Sequence, residues 1–468
     1  MIKIIATKEI LSAIRDWRFL MMSAIVFLLL LTASLVGWQS YRQLQAQRAE
    51  AQKMARKQWL GQGDKNPHSA AHYGSFAFRP KSTFSFLDFG TDTYTGTSVQ
   101  LEAHKQNDIL FSQAQDATSL LRFGEMTMAF VLQILLPLLI IFSGFNAFTQ
   151  EKEEQTLKIL LSQGVSASQI ALGKVLGLAG LIVMILLPIS LIISLLWVFS
   201  DDSSFNGDWA LRGGLLSLSY GVYFLIFILL TVLVSAYSAS SRNSLLVLLS
   251  IWVLTCILLP KTTANLGANL YPAPSKFAFD QALKEDEEKG IDGHNPADKR
   301  FDELKNQYLK KYGVDSLQKL PINFDGVAMQ EGEKYSSMIY NKHFDQVKSV
   351  FKQQNRVSEI AGLFNPYLAI RQLSMGLAGS DYVHYVDFQE KAEAYRFNLV
   401  KTMNDYHANN SQYGDWEFKA DEKLWQKLPD FRYESPQWLQ IAGNYNYAYI
   451  SLLIWIIGLM AVLLLVKL

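Results

Sequence analysis

The chain has 468 residues, half of them hydrophobic, and a formal net charge of +1; its mean hydropathy of +0.10 is low for a polytopic membrane protein, so polar sequence dilutes the apolar runs. That length accommodates a membrane bundle together with a folded polar domain. The balanced charge excludes a nucleic-acid surface, which needs a concentrated basic patch, and a lone cysteine, Cys256, excludes an intramolecular disulfide and a cysteine-based zinc module.

Ile2, Ala6, Ile10, Ala13, Ile14 and Trp17 share one helical face, with Lys3, Lys8, Ser12, Arg15 and Asp16 on the other. The pattern predicts a helix over residues 1–18 lying in the cytoplasmic membrane interface. Six runs then meet the criterion of about 20 predominantly apolar residues: 19–38, 126–148, 175–199, 213–236, 243–260 and 447–466, all with uncharged centres. The first is longer than the h-region of about 15 residues in a secretory signal, and no Ala-x-Ala site follows it, so it reads as an uncleaved span. Lys3, Lys8, Arg15, Arg18, Lys152, Lys158, Lys174, Arg242 and Lys467 gather at one set of span ends. The short opposite bridge, with Asp201, Asp202 and Asp208, has no Lys or Arg. The positive-inside rule then predicts cytoplasmic termini, a cytoplasmic segment at 149–174, and two extracytoplasmic insertions at 39–125 and 261–446.

Residues 41–60 are rich in Gln, Ala, Arg and Lys, strong helix formers that continue the first span out of the membrane. A Phe- and Gly-rich stretch to Gly96 reads as irregular or extended, and a helical return is expected from Glu102. In the second insertion, apolar residues at three-to-four spacing predict helices over 298–312, 328–361 and 385–407, punctuated by Pro272, Pro274, Pro296, Pro321, Pro366, Pro429 and Pro436. Trp438, Tyr445, Tyr447 and Tyr449 form an interfacial aromatic belt before the last span. The expected fold is an α-helical polytopic membrane protein: six transmembrane helices with a large, mainly α-helical extracytoplasmic domain built from two insertions.

Residues 149–174 are a charged amphipathic bridge held between two spans, a place suited to docking. Composition alone also allows an ordinary solvated loop, since charge runs usually face water. An acidic cluster of Glu151, Glu153 and Glu154 is followed by Thr156 and Leu157, then Leu160, Leu161 and Ser162, then Val165 and Ser166, and a Gly173-Lys174 start to the next span. This order resembles the cytoplasmic coupling segment of ABC-2-type exporter permeases. Gln155 stands where that family usually has Gly, and Gly164 where it usually has Pro. The outer signatures Asn66-Pro-His-Ser-Ala-Ala-His72, Leu101-Glu-Ala-His104, Phe364-Asn-Pro366, Leu377-Ala-Gly-Ser-Asp381 and Ala392-Glu-Ala-Tyr-Arg396 look like a bacterial subgroup with large ectodomains, related to the permease of the nitrous-oxide-reductase maturation exporter. The resemblance implies a bacterial inner-membrane location. It also implies a pair of permeases, identical or homologous, surrounded by membrane lipids, and ATPase subunits that contact Glu151, Glu153, Glu154, Thr156, Leu157, Leu160, Leu161, Ser162 and Val165. No phosphate-binding loop is present: the glycines around Gly164 and Gly173-Lys174-Val175 have the wrong spacing and lack the Ser or Thr after Lys. ATP is therefore expected on a partner, with no cofactor in this chain.

His68 and His72, at i and i+4, share a helix face and with His104 offer a metal triad. Ser69 replaces the Glu that a zinc-protease motif needs, and hydrogen bonding is the commoner use of such polar clusters, so no metal is assigned from sequence. The spans carry no ionisable residue at mid-depth, which disfavours a proton-coupled carrier. Gln133, Ser143, Asn146, Ser190 and Ser194 are expected as interhelical hydrogen-bonding partners, and Pro137 and Pro188 as kinks. Three functions follow in order: the permease of an ATP-driven exporter; an ATP-driven mechanical transducer acting on lipid, lipoprotein or an outer partner with no translocation path; and a membrane-anchored outer enzyme using the three histidines.

Overall fold

The computed structural model describes residues 1–107, 126–198, 207–289 and 299–466. Six helices in it are long and apolar enough to cross a membrane: Trp17–Leu60, Met128–Glu153, Ala167–Leu195, Gly207–Tyr237, Ser241–Leu270 and Trp438–Leu464. The chain is an α-helical multi-pass membrane protein with an additional helical domain outside the spans. Lys467 and most of the acidic bridge after the third span lie outside the described residues.

The first span is one unbroken helix of 44 residues, capped where the Asp16 carboxylate accepts the Arg18 N–H. At 1.5 Å per residue it is about 66 Å long, roughly twice the 30 Å hydrocarbon core of a bilayer. The excess is the polar stretch expected to leave the membrane, and its far end is held by the outer domain. Trp59 Nε1 donates to the Trp425 carbonyl at 3.0 Å, and Arg56 and Gln52 reach the carbonyls of Leu428 and Phe431.

Two spans widen ahead of a proline. Val131–Leu135 and Val253–Leu258 are π-helical, followed at once by Pro137 and Pro260 in the next helical turn. A proline has no N–H for the carbonyl four residues back and crowds it, and a π-turn is a common way to absorb that. Side chains satisfy the displaced carbonyls: Tyr223 OH donates to Gln133 O at 2.7 Å, Trp252 Nε1 to Ile134 O at 3.0 Å, and Asn365 Nδ2 to Thr255 O at 2.9 Å. Pro188 lies inside its helix. Of the polar span residues, Gln133 bridges helices, through Tyr220 OH. Ser143, Ser190 and Ser194 instead bond carbonyls of their own helices, and Asn146 bonds Gln150. Backbone carbonyls one turn away were nearer than any neighbouring helix.

The N-terminal helix Ile2–Arg15 seats on the third span. Gly173, Gly177 and Gly180 open the seat: a Cβ at the first would fall 2.7 Å from Ile5 side-chain atoms, at the second 2.7 Å from Glu9 Cβ, and at the third 2.9 Å from Ile10 Cδ1. Ile2, Ala6, Ile10 and Ala13 of the expected apolar face are half-buried there, while Ile14 and Trp17 stay exposed beside Ile4 and Leu11.

The outer domain packs the helices Lys276–Glu287, Lys299–Tyr312, Phe324–Gly362 and Tyr382–Asn410 around a small antiparallel sheet; the last three were anticipated within a few residues and the first was not. Its strands are β1 (Ser75–Phe78), β2 (Ser98–Glu102) and β3 (Lys105–Gln106), in that order. The helical return expected from Glu102 is corrected at its start. Val99 and Leu101 are buried while Gln100 and Glu102 are half-exposed, a period of two that belongs to a strand; residues 108–125 of that return lie outside the described residues. The helix Pro366–Ala378 was also unforeseen. It begins at an Asn365 cap, ends at Gly379 in a left-handed conformation, and buries Tyr367, Ile370, Leu373 and Leu377 in the same core as the spans. Too short to cross a bilayer, it folds back from the domain and covers the end of the bundle.

Candidate functional site

The 149–174 connector is two short helices and a turn. Thr149–Glu153 continues from the second span, Gln155 turns the chain, Thr156–Ser162 follows, and Gly164 turns it again into Ala167–Val198. Gln155 has φ of 62° and Gly164 of 82°. Both are left-handed, a region that side chains with a Cβ occupy at a cost of about 1–2 kcal/mol. A glycine suits both turns, so the sequence departures at 155 and 164 have a physical reading: the first carries strain, the second avoids it.

The connector's base is locked to the bundle. Glu151 is buried and its Oε1 accepts Lys174 Nζ at 3.0 Å and Lys8 Nζ at 3.1 Å. Lys174, 1% exposed, also meets Glu9 at 3.1 Å and lies 5.4 Å over the Phe148 ring. Lys152 donates to the Ala236 and Ser238 carbonyls at the end of the fourth span, where a cation complements the helix dipole. Glu153 caps the start of the fifth, taking Ser241 N–H at 2.7 Å and its hydroxyl at 3.0 Å. The second span's turn is pinned as well, Phe148 N–H donating to Ser235 Oγ and Ser244 Oγ to the Phe145 carbonyl.

The expected contact residues therefore divide. Leu157 and Val165 are buried in the bundle core, Leu160 and Leu161 pack half-buried against it, and Glu151 does not reach the surface. Glu153, Glu154, Thr156 and Ser162 are exposed. Sequence reasoning missed Lys158 and Ile159, the latter 56% exposed on an otherwise polar surface; an apolar residue between Lys158 and Leu160, one position off the buried stripe, was the available signal.

Residues 90–266, from the end of the first insertion through the fifth span, match a family described as ABC-2 family transporter protein. Over that stretch the chain is an ABC-2-type permease. Such permeases are in general the non-enzymatic membrane component of an ABC transporter and work with a cytoplasmic ATPase. In this permease the outer domain, residues 276–434, matches a domain of unknown function (DUF3526). No curated protein matches the chain.

The three histidines, separated by up to 36 positions, also come together. One ring nitrogen from each of His68, His72 and His104 lies within 4.8 Å of the others, in the outer domain away from the connector.

Proposed function

We propose that this permease is the transmembrane subunit of an ATP-driven exporter in a bacterial inner membrane. Two permease chains, identical or homologous, pair around a central path, and two separate ATPase subunits bind the ATP and grip the connectors. Both termini and the connector lie on the cytoplasmic side, and the insertions on the other.

The observation that carries this reading is the pairing of an exposed strip with a fixed base. Glu154 at the turn and Lys158, Ile159 and Ser162 on the helix after it are exposed, and the short helix before the turn is tied to the N-terminal helix and the third, fourth and fifth spans. A force applied to the strip is passed to those elements together. Burying an isoleucine side chain contributes about 1.5–3 kcal/mol. Ile159→Asp combined with Glu154→Lys should therefore weaken association with the ATPase about tenfold or more, with the permease still folded. Full ATPase stimulation and unchanged co-purification in that variant would sink the proposal.

One observation favours the transducer as a second reading. The helix Pro366–Ala378 fills the end of the bundle with Tyr367, Ile370, Leu373 and Leu377, leaving packed side chains where cargo would emerge from a single chain. Cysteines placed along the spans of the assembled pair separate the two readings. Labelling by a membrane-impermeant thiol reagent along a continuous line supports export; protection of the whole line supports force transmission.

A further inference from the structure

We propose that His68, His72 and His104 bind one d-block dication of the zinc or copper class at the surface of the outer domain. The helix Pro67–Tyr73 starts at an Asn66 cap with Pro67 in its first turn, which places His68 and His72 one turn apart on the same face. The tip between β2 and β3, Ala103 and His104, delivers the third ring. His104 has φ of 65°, and with Gln155 it is one of two non-glycine residues at positive φ among the described residues. Such conformations persist where the surroundings enforce them, often at ligand clamps. Here the His104 N–H is held at 2.8 Å by Glu333 Oε2.

In the metal-free chain the pair shares a hydrogen bond, and its spacing is also close to that of two ligands on one ion. His68 Nε2 and His72 Nε2 are 3.1 Å apart. Two nitrogens bound at 2.0–2.1 Å to a tetrahedral zinc are about 3.3–3.4 Å apart, so the pair already spans nearly one edge of that polyhedron. The third nitrogen lies within 4.8 Å of the other two and must close by roughly 1 Å or more to complete a face. His68 is buried, His104 half-buried and His72 exposed, so the fourth position of the ion opens to solvent.

The surroundings orient lone pairs inward. His68 Nδ1 faces Asn404 Oδ1 at 3.1 Å. Because Asn404 Nδ2 donates to Gln330 Oε1, the asparagine offers its oxygen to the imidazole, which places the His68 proton on Nδ1 and the lone pair on Nε2. Glu333 Oε2 lies 3.5 Å from His104 Nδ1 and favours the proton there, leaving Nε2 as acceptor. Metal-bound histidines commonly have such partners on the distal nitrogen, a carbonyl-type oxygen or a carboxylate. Glu333 is itself fully buried and paired with Arg396 Nη1 at 2.5 Å, so its position is fixed. Three neutral imidazoles with an open fourth place suit Zn²⁺ or Cu²⁺ and not Mg²⁺ or Ca²⁺, which take oxygen ligands.

The test uses the untagged full-length permease in detergent, stripped with chelator and reloaded with Zn²⁺ or Cu²⁺ alone. One ion should remain per chain after desalting, and the Cu²⁺ form should show nitrogen superhyperfine coupling in its EPR spectrum. His72→Ala, at an exposed position, should fold normally, lose most of the bound ion and lose one nitrogen from the spectrum. Asn404 is a positioning residue acting through His68: Asn404→Ala should lower affinity about 10- to 100-fold, and Asn404→Asp, which keeps the acceptor oxygen, should restore it. Equal metal content in His72→Ala and the natural chain, or Cu²⁺ without imidazole coupling, would overturn the site. Neither readout requires an ATPase or transport, so this result stands apart from the export reading.

Discussion

At the scale of single residues, buried charge is the informative feature. Glu151 and Lys174 are acidic and basic residues of a polar bridge, yet both lie inside the bundle, each the other's partner at 3.0 Å. Asp88 is also buried, in the loop before Gly90, where Ser374 Oγ donates to its Oδ2 and Gly90 N–H to its Oδ1 at 3.0 Å. Burial pushes its carboxyl above the ordinary 3.8, the hydrogen bonds from Ser374 and Gly90 pulling partly back. A carboxyl raised on folding holds its proton longer in the native state than in the unfolded chain. Its effect on stability is therefore nil at low pH, turns unfavourable as pH climbs from 3.8 towards its raised midpoint, and stays constant above it. Asn in its place can accept from Gly90 without charging. Asp88→Asn should melt higher than the natural protein at neutral pH, with the difference shrinking as pH falls through that window; a pH-independent difference would contradict the assignment.

At the scale of elements, the seating of the N-terminal helix decides how the connector is braced. Glu9 and Lys8 reach Lys174 and Glu151 because Gly173 and Gly177 let the two helices approach. Gly177→Leu places a side chain where Glu9 Cβ already is, 2.7 Å from the new Cβ, and overpacking of this kind costs about 1–3 kcal/mol. Hydrogen exchange should accelerate over residues 2–15 in that variant while the outer domain keeps its protection. Little of this docking was legible in the sequence. An apolar helical face of Ile2, Ala6, Ile10 and Ala13 looks the same whether it meets lipid or a neighbouring span. The small-residue stripe that answers it lies in a run already accounted for as transmembrane. Runs of about twenty apolar residues, by contrast, leave a single physical outcome, because a backbone in hydrocarbon must bond to itself, and the long amphipathic helices of the outer domain follow from their own periodicity.

At the scale of the molecule, what escaped the sequence is what long-range contact creates. His68 and His72 were legible as a pair at helical spacing. The carboxylate of Glu333, 229 positions from His104, and Asn404, 336 positions from His68, were not, and without them the trio has no orientation. The cover helix Pro366–Ala378 was hidden in the same way: its apolar residues join the bundle core, but its length fits a soluble element. Both lie beside segments quoted for their family resemblance, Asn66 to His72 and Leu377 to Asp381, so resemblance marked the places while geometry supplied their use.

The unbroken first helix is a lever. Its outer portion, residues 39–60, is about 33 Å long, so a tilt of ten degrees at the membrane swings the tip by about 6 Å. That tip carries Trp59, which shares a cluster with Ala70, Ala71 and Ala103, and Ala71 and Ala103 immediately precede His72 and His104 in sequence. Any tilt of this helix at the membrane would thereby arrive, enlarged, beside the imidazoles.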